Sequence, residues 1–107
     1  MRRVLKHDGL LKGGLVWLAV ALLLAVAGTL RSAMPGVNEA HYLTKSRHFW
    51  DPSWCASDLF LQSIDAHWLF FQTVGSLPRW LSFPAAAWVG RCLGWGLLAW
   101  GFCELAR

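Results

Sequence analysis

The sequence predicts an all-α membrane protein: a transmembrane helical hairpin whose extracytoplasmic loop carries short amphipathic helices. Three observations point there. Hydrophobic residues make up 56% of the 107 and charged residues only 15%, against roughly 45–50% and about 25% in an ordinary soluble domain. A chain this short has too little interior to hide that much apolar surface from water. Two long stretches, 13–30 and 80–103, are almost free of charge. Between them lies a more polar segment, 31–79, punctuated by Pro and Gly. The apolar composition excludes a disordered chain.

The first stretch, Gly13 to Leu30, has eighteen residues and no charge. As a helix it covers roughly 27 Å, close to a hydrocarbon core of about 30 Å. Lys12 and Arg31 bracket it. Arg2, Arg3 and Lys6 precede it, and cations beside a first span hold that end in the cytoplasm. Ala25-Val26-Ala27 also has the form of a signal-peptidase site. Cleavage there is the competing reading, which makes the rest an exported Trp-rich domain. The net charge of +4 comes with no long basic run, so a nucleic-acid partner is not expected.

Met34-Pro35-Gly36-Val37-Asn38 breaks the helix, because Pro and Gly punctuate and Asn38 is a good N-cap. A second helix is expected from Glu39 to Trp50. Tyr42, Leu43, Phe49 and Trp50 fall on one side, and His41, Lys45 and His48 on the other. Such a helix suits a membrane surface. Asp51-Pro52 ends it. A third helix is expected from Ser57 or Asp58 to Val74. It is apolar, but Asp58, Gln62, Asp65 and Gln72 lie within about 80° of one another. Lying at the interface is one reading and spanning is the other; Asp65 and His67 near the centre make spanning costly.

Gly75-Ser76-Leu77-Pro78 is a turn signal. Residues 80–103 then form the second span candidate, with Arg91 its single charge. Gly90, Gly94 and Gly101 share a face within about 40°, and small residues on one face let another transmembrane helix approach. Arg91 can pair with an acid such as Asp65, meet a lipid phosphate, or snorkel to the interface.

Glu39 is the candidate catalytic residue. A carboxylate at the mouth of a membrane bundle can act as a general base; the alternative is a first-turn Glu that complements the helix dipole. His41, His48, His67 and Cys55 lack any zinc-ligand spacing, so no metal site is expected. The three cysteines, Cys55, Cys92 and Cys103, show no CxxC pattern. A disulfide framework is not expected. Trp50, Trp54, Trp80 and Phe83 suit an aromatic belt at the membrane–water boundary; a sugar-stacking platform is the alternative.

The run NEAHYLTKSRHFWDPSWCASDLF, residues 38–60, resembles the first external loop of large bacterial multi-pass membrane proteins with no assigned function. The resemblance covers roughly residues 10–105. More distantly, the layout is similar to the C-type glycosyltransferases, which use a polyprenyl-phosphate sugar donor. There an Asp at the start of the external loop, often as Asp-Glu before an aromatic, acts as base or metal ligand; here Asn38-Glu39, followed by Tyr42, stand in that place, and only Glu39 keeps the charge. The resemblance implies the N-terminal portion of a larger inner-membrane protein. It also implies membrane lipid and other transmembrane helices as partners, with a polyprenyl-phosphate sugar and a divalent cation if the likeness extends to catalysis. The alternative is a small non-enzymatic membrane protein packing against a larger partner through its glycine face.

Overall fold

A computed structural model describes the backbone of residues 2–106 and the side chains of residues 12–106. The side chains of Arg2, Arg3 and Lys6, expected to set topology, lie outside the described residues. The described chain is all helix and turn: α1 (Arg2–Arg31), α2 (Val37–Trp50), α3 (Trp68–Gln72), a 3-10 helix (Val74–Arg79) and α4 (Phe83–Leu105). It divides into two compact units, Ala33–Gly90, and Met1–Ser32 with Arg91–Arg107.

The first helix begins earlier than its apolar stretch, because Arg, Lys and Leu in the basic segment are all good helix formers. Its last ladder bond runs from Ser32 N–H to Gly28 O, 3.2 Å, and Pro35 cannot continue it. Among the described residues, only Lys12–Arg31 is long and apolar enough to cross a membrane, at a mean hydropathy of 2.2. Helix α4 has the length, 23 residues, but its Trp and Gly residues and Arg91 dilute it. It starts at Phe83 rather than Trp80. Ser82 caps it: Ser82 Oγ accepts from Ala85 N–H at 3.4 Å, and Ser82 O from Ala86 N–H at 2.9 Å. Pro84 then occupies a first-turn position whose N–H has no helical partner anyway.

Helix α2 begins two residues ahead of expectation. Gly36 takes the N-cap place in extended backbone, and Asn38 lies within the helix. Glu39 reaches back and accepts the Gly36 N–H at 2.6 Å, the return half of a capping box. The expected surface-lying face does not hold, since Lys45 is buried (6% exposed) as deeply as Leu43 (3%).

The long third helix does not form. Asp58 caps as expected, its Oδ1 accepting from Phe60 N–H at 2.9 Å and Leu61 N–H at 3.2 Å. Residues 59–67 then run as turns and loop, which Lys45 Nζ holds by donating to Phe60 O (3.2 Å) and Ser63 O (2.7 Å). Helix resumes only as the five-residue α3, too short to span a bilayer.

In the 33–90 unit the core joins Leu43 to Ala86 and Ala87, with Met34, Phe70, Leu77 and Phe83 packed around them. Phe71 is fully buried and stacks at 5.2 Å on Phe49. The 3-10 helix lies on α2, where buried Ser46 faces Gly75. A Cβ on Gly75 would sit 2.8 Å from Phe70 O and 3.0 Å from Ser46 Cβ, so only glycine fits.

In the other unit α1 and the rest of α4 run antiparallel. Trp17 Nε1 donates to Gly96 O at 2.9 Å. The Trp95 indole lies where a Gly28 side chain would be, 2.8 Å from that Cβ position. Ala99 is the only buried side chain described there.

Candidate functional site

The residues singled out in the sequence scatter to different tasks. Glu39 is engaged at the Gly36 N–H, the helix-start role. Asp65 faces Lys45 Nζ at 3.8 Å. Arg91 donates to Ser32 O at 3.2 Å and to Ser32 Oγ at 3.3 Å. Gly90 meets Val74 Cγ1 at 3.1 Å from a would-be Cβ, whereas Gly94 and Gly101 have nothing within 4 Å. Within the helix pair a close contact is made at Gly28, whose Cβ position lies 2.8 Å from the Trp95 indole.

Two polar constellations emerge in the 33–90 unit. The first is a cleft of about 340 Å³ between α2 and the 60–67 loop, with Asn38, His41, Tyr42, Lys45, Phe60 and His67 among its walls. Lys45 Nζ also donates to Ser63 Oγ at 2.6 Å. Its three N–H donors are thus matched by three acceptors, and the ammonium holds the loop rather than a ligand. His41 Nδ1 lies 3.0 Å from Val37 O. A carbonyl only accepts, so Nδ1 is the donor in this bond. Tyr42 meets His67 edge-on at 4.8 Å. Among the described residues, no three His, Cys, Asp or Glu side chains are grouped to hold a metal.

The second constellation sits where α2 ends against the 3-10 helix. Arg47 Nη1 donates to Pro78 O at 2.8 Å. Trp50 Nε1 donates to Phe71 O at 2.9 Å. The Arg79 guanidinium lies 4.4 Å from the Trp50 ring centre and 4.6 Å from that of Trp80. Arg47, Trp50, Asp51 and Arg79 line a cleft of about 180 Å³. Asp51 Oδ1 accepts from Ser53 Oγ at 2.5 Å and Ser53 N–H at 3.2 Å. The Ser53 hydroxyl, above all, holds the Asp51 carboxyl below its ordinary pKa, so it is ionised at neutral pH.

The sequence pattern assigns Trp50, Trp54, Trp80 and Phe83 to a belt. In the structure Trp50 is tied into the fold by its bond to Phe71 O, Trp54 packs edge-on against Phe83 at 5.9 Å, and Trp80 stays exposed. The proximity of Arg47 and Arg79 is not legible in the sequence, because the two are 32 positions apart and no spacing rule links them. The available signal is two arginines each within three residues of a Trp. Comparison with protein-family models, curated proteins and solved structures finds no match, so the functional reading rests on these residues.

Proposed function

We propose that this chain is an integral membrane protein of the bacterial inner membrane, with its N-terminus in the cytoplasm. Helices α1 and α4 cross the bilayer, and the 33–90 unit is a folded extracytoplasmic cap. Its role is to pack against further transmembrane helices, as a small protein or as the N-terminal portion of a multi-pass one. One observation carries this reading. The α1–α4 pair turns its large apolar side chains outward: Leu23 is 70% exposed, Leu30 83%, Leu97 65% and Trp100 59%. A helix apolar all round needs an apolar surrounding. Two apolar grooves run along the pair, of about 540 Å³ beside Val16, Val20 and Phe102, and about 490 Å³ beside Trp17, Leu93 and Trp100. Acyl chains or neighbouring helices fill such grooves in a bilayer.

The glycosyltransferase-like alternative needs Glu39 as a base. Its carboxylate accepts the Gly36 N–H instead, which favours the packing role.

Cys55 is exposed in the cap and serves as a natural probe. With Cys92 and Cys103 changed to Ser, an impermeant maleimide should label Cys55 from outside intact cells, and the chain should resist alkaline extraction from membranes. Release at alkaline pH would overturn the membrane reading. Labelling only after lysis would reverse the orientation.

A further inference from the structure

We infer that Arg47, Trp50 and Arg79 form a binding site for a singly charged phosphodiester, as carried by a lipid headgroup or a soluble phosphate diester. Arg47 and Trp50 share a face in the last turn of α2, three residues apart. The Arg47 hydrogen bond to Pro78 O fixes its guanidinium beside the next residue along the chain, Arg79. The Arg79 guanidinium lies over two indoles, 4.4 Å from the Trp50 ring centre and 4.6 Å from that of Trp80. Contact with an aromatic face uses none of the N–H donors, so they remain able to bond an anion. Both cations are therefore ordered before any anion arrives, which lowers the cost of binding. Among the described residues neither has a carboxylate within ion-pairing distance; the ion pair seen in this unit joins Lys45 to Asp65.

The cleft between them, about 180 Å³, holds the equivalent of roughly six waters at about 30 Å³ each. That is room for a phosphate group with some of its hydration. Arg47 has spent Nη1 and keeps Nε and Nη2 as donors, and Arg79 keeps its N–H donors. Paired N–H donors in a fixed fork match phosphate oxygens. Asp51 sets the selectivity. With two guanidiniums and one carboxylate the cleft carries a net single positive charge. A diester monoanion balances it, whereas a dianionic monoester meets repulsion from Asp51. The Asp51 oxygen not used by Ser53 can accept from a hydroxyl or ammonium on the diester's other arm. Lys45, two positions before Arg47 on α2, offers no such site, because its donors are already engaged.

The test uses the full chain in mild detergent, with side-chain Nε–H signals of arginine followed by NMR. Probes are dihexanoyl phosphatidylglycerol, glycerophosphoglycerol, inorganic phosphate and a short single-stranded oligonucleotide. Arg47 and Arg79 signals should shift saturably with the diesters, and at least tenfold more weakly with inorganic phosphate. Arg79→Gln should weaken diester binding at least tenfold, while Arg31→Gln leaves it unchanged. Asp51→Asn should narrow the preference for diester over inorganic phosphate. Tighter binding of the lipid than of glycerophosphoglycerol assigns the headgroup as source; equal binding assigns the soluble diester. Arg47→Gln also removes a structural bond, so Arg79→Gln, which keeps that bond, is the deciding variant. Absence of a diester shift at either arginine, unchanged affinity in Arg79→Gln, or preference for the oligonucleotide would overturn the inference. The site lies wholly within 33–90, so its failure is separable from failure of the membrane reading.

Discussion

The 33–90 unit and the α1–α4 pair are assembled from similar residues and bury them in opposite ways. The loop unit turns its polar groups inward and matches them. Lys45 closes a loop through three acceptors, Ser46 bonds Leu43 O at 2.9 Å, and Trp50 ties α2 to Phe71. Among the described residues the pair has one buried side chain, Ala99, and its ties include an indole N–H and one arginine. Under the membrane reading the difference is one of solvent. Water rewards burial of apolar area, so the cap builds a core around Leu43 and Phe71. Lipid gives no such reward, and what holds two helices there is close packing and the few hydrogen bonds between them. Loss of a buried polar tie or filling of a tight space should therefore hurt the 33–90 unit, while the open glycine positions of the pair tolerate added volume.

The largest effect is expected at Lys45. Lys45→Met keeps the aliphatic stem and removes the ammonium, leaving Ser63 O without that donor and Asp65 without its ion-pair partner, while Phe60 O keeps the Ser63 N–H and hydroxyl. An unsatisfied carbonyl costs about 1–3 kcal/mol where water cannot replace the donor. Pulse proteolysis in detergent should show the 60–66 loop cleaved at far lower denaturant, with the α1–α4 pair still protected. An unchanged midpoint would mean that water satisfies Ser63 O and that the loop is not held by this residue.

Next is Gly75. Its Cβ position falls 2.8 Å from a backbone carbonyl and 3.0 Å from Ser46 Cβ, neither of which is a flexible tip. Gly75→Ala should cost about 1–3 kcal/mol, the range for overpacking, and be read as a lower urea midpoint of the cap. Gly94→Ala is the contrast, since nothing lies within 4 Å of that Cβ. In the isolated chain it should be neutral or stabilising by up to about 1 kcal/mol, through helix propensity alone. If a partner helix docks on this face, Gly94→Leu should abolish co-purification of that partner while leaving the chain folded. A large loss of stability from Gly94→Ala in the isolated chain would show that the face is already occupied within the protein.

The comparison also explains what can be read in advance. Helices α1 and α4 are legible because a continuous apolar run is a local property, set by residues next to one another. Their ends are less so, as is the start of α2: Ser82 and Gly36 act through single cap bonds that compete with nearby alternatives such as Asn38. The 57–74 helix misleads for a non-local reason. Its apolar pattern with a polar stripe fits a helix, yet the segment folds as turns around an ammonium fifteen residues or more upstream that donates to two of its carbonyls. Asp65 in an apolar segment signals a need for a partner, yet that partner is Lys45, which the helical wheel puts on an outer face. The Arg47–Arg79 cleft depends on the angle at which the 3-10 helix meets α2, and no spacing rule carries that angle.

The smallest effect is expected at Cys55, where the cap stores backbone strain. Its φ is 54°, in the left-handed region that L residues other than Asn and Asp seldom occupy. The conformation serves the turn, since Cys55 O accepts from Asp58 N–H at 3.0 Å just ahead of the Asp58 cap. The thiol is exposed and free, so replacing it removes no packing. Asn tolerates this region through its short polar side chain, whereas a β-branched residue does not. Cys55→Asn should therefore raise the urea midpoint of the cap slightly, by about 0.5 kcal/mol or less, and Cys55→Val should lower it by about 1 kcal/mol, within the cost of the left-handed region. The ordering of the two variants is the measurement that matters, because both lack the thiol and differ chiefly in what they demand of the backbone. Equal midpoints for Asn and Val would show that the turn relaxes to another conformation at little cost, and that the Asp58 cap does not depend on the geometry at Cys55.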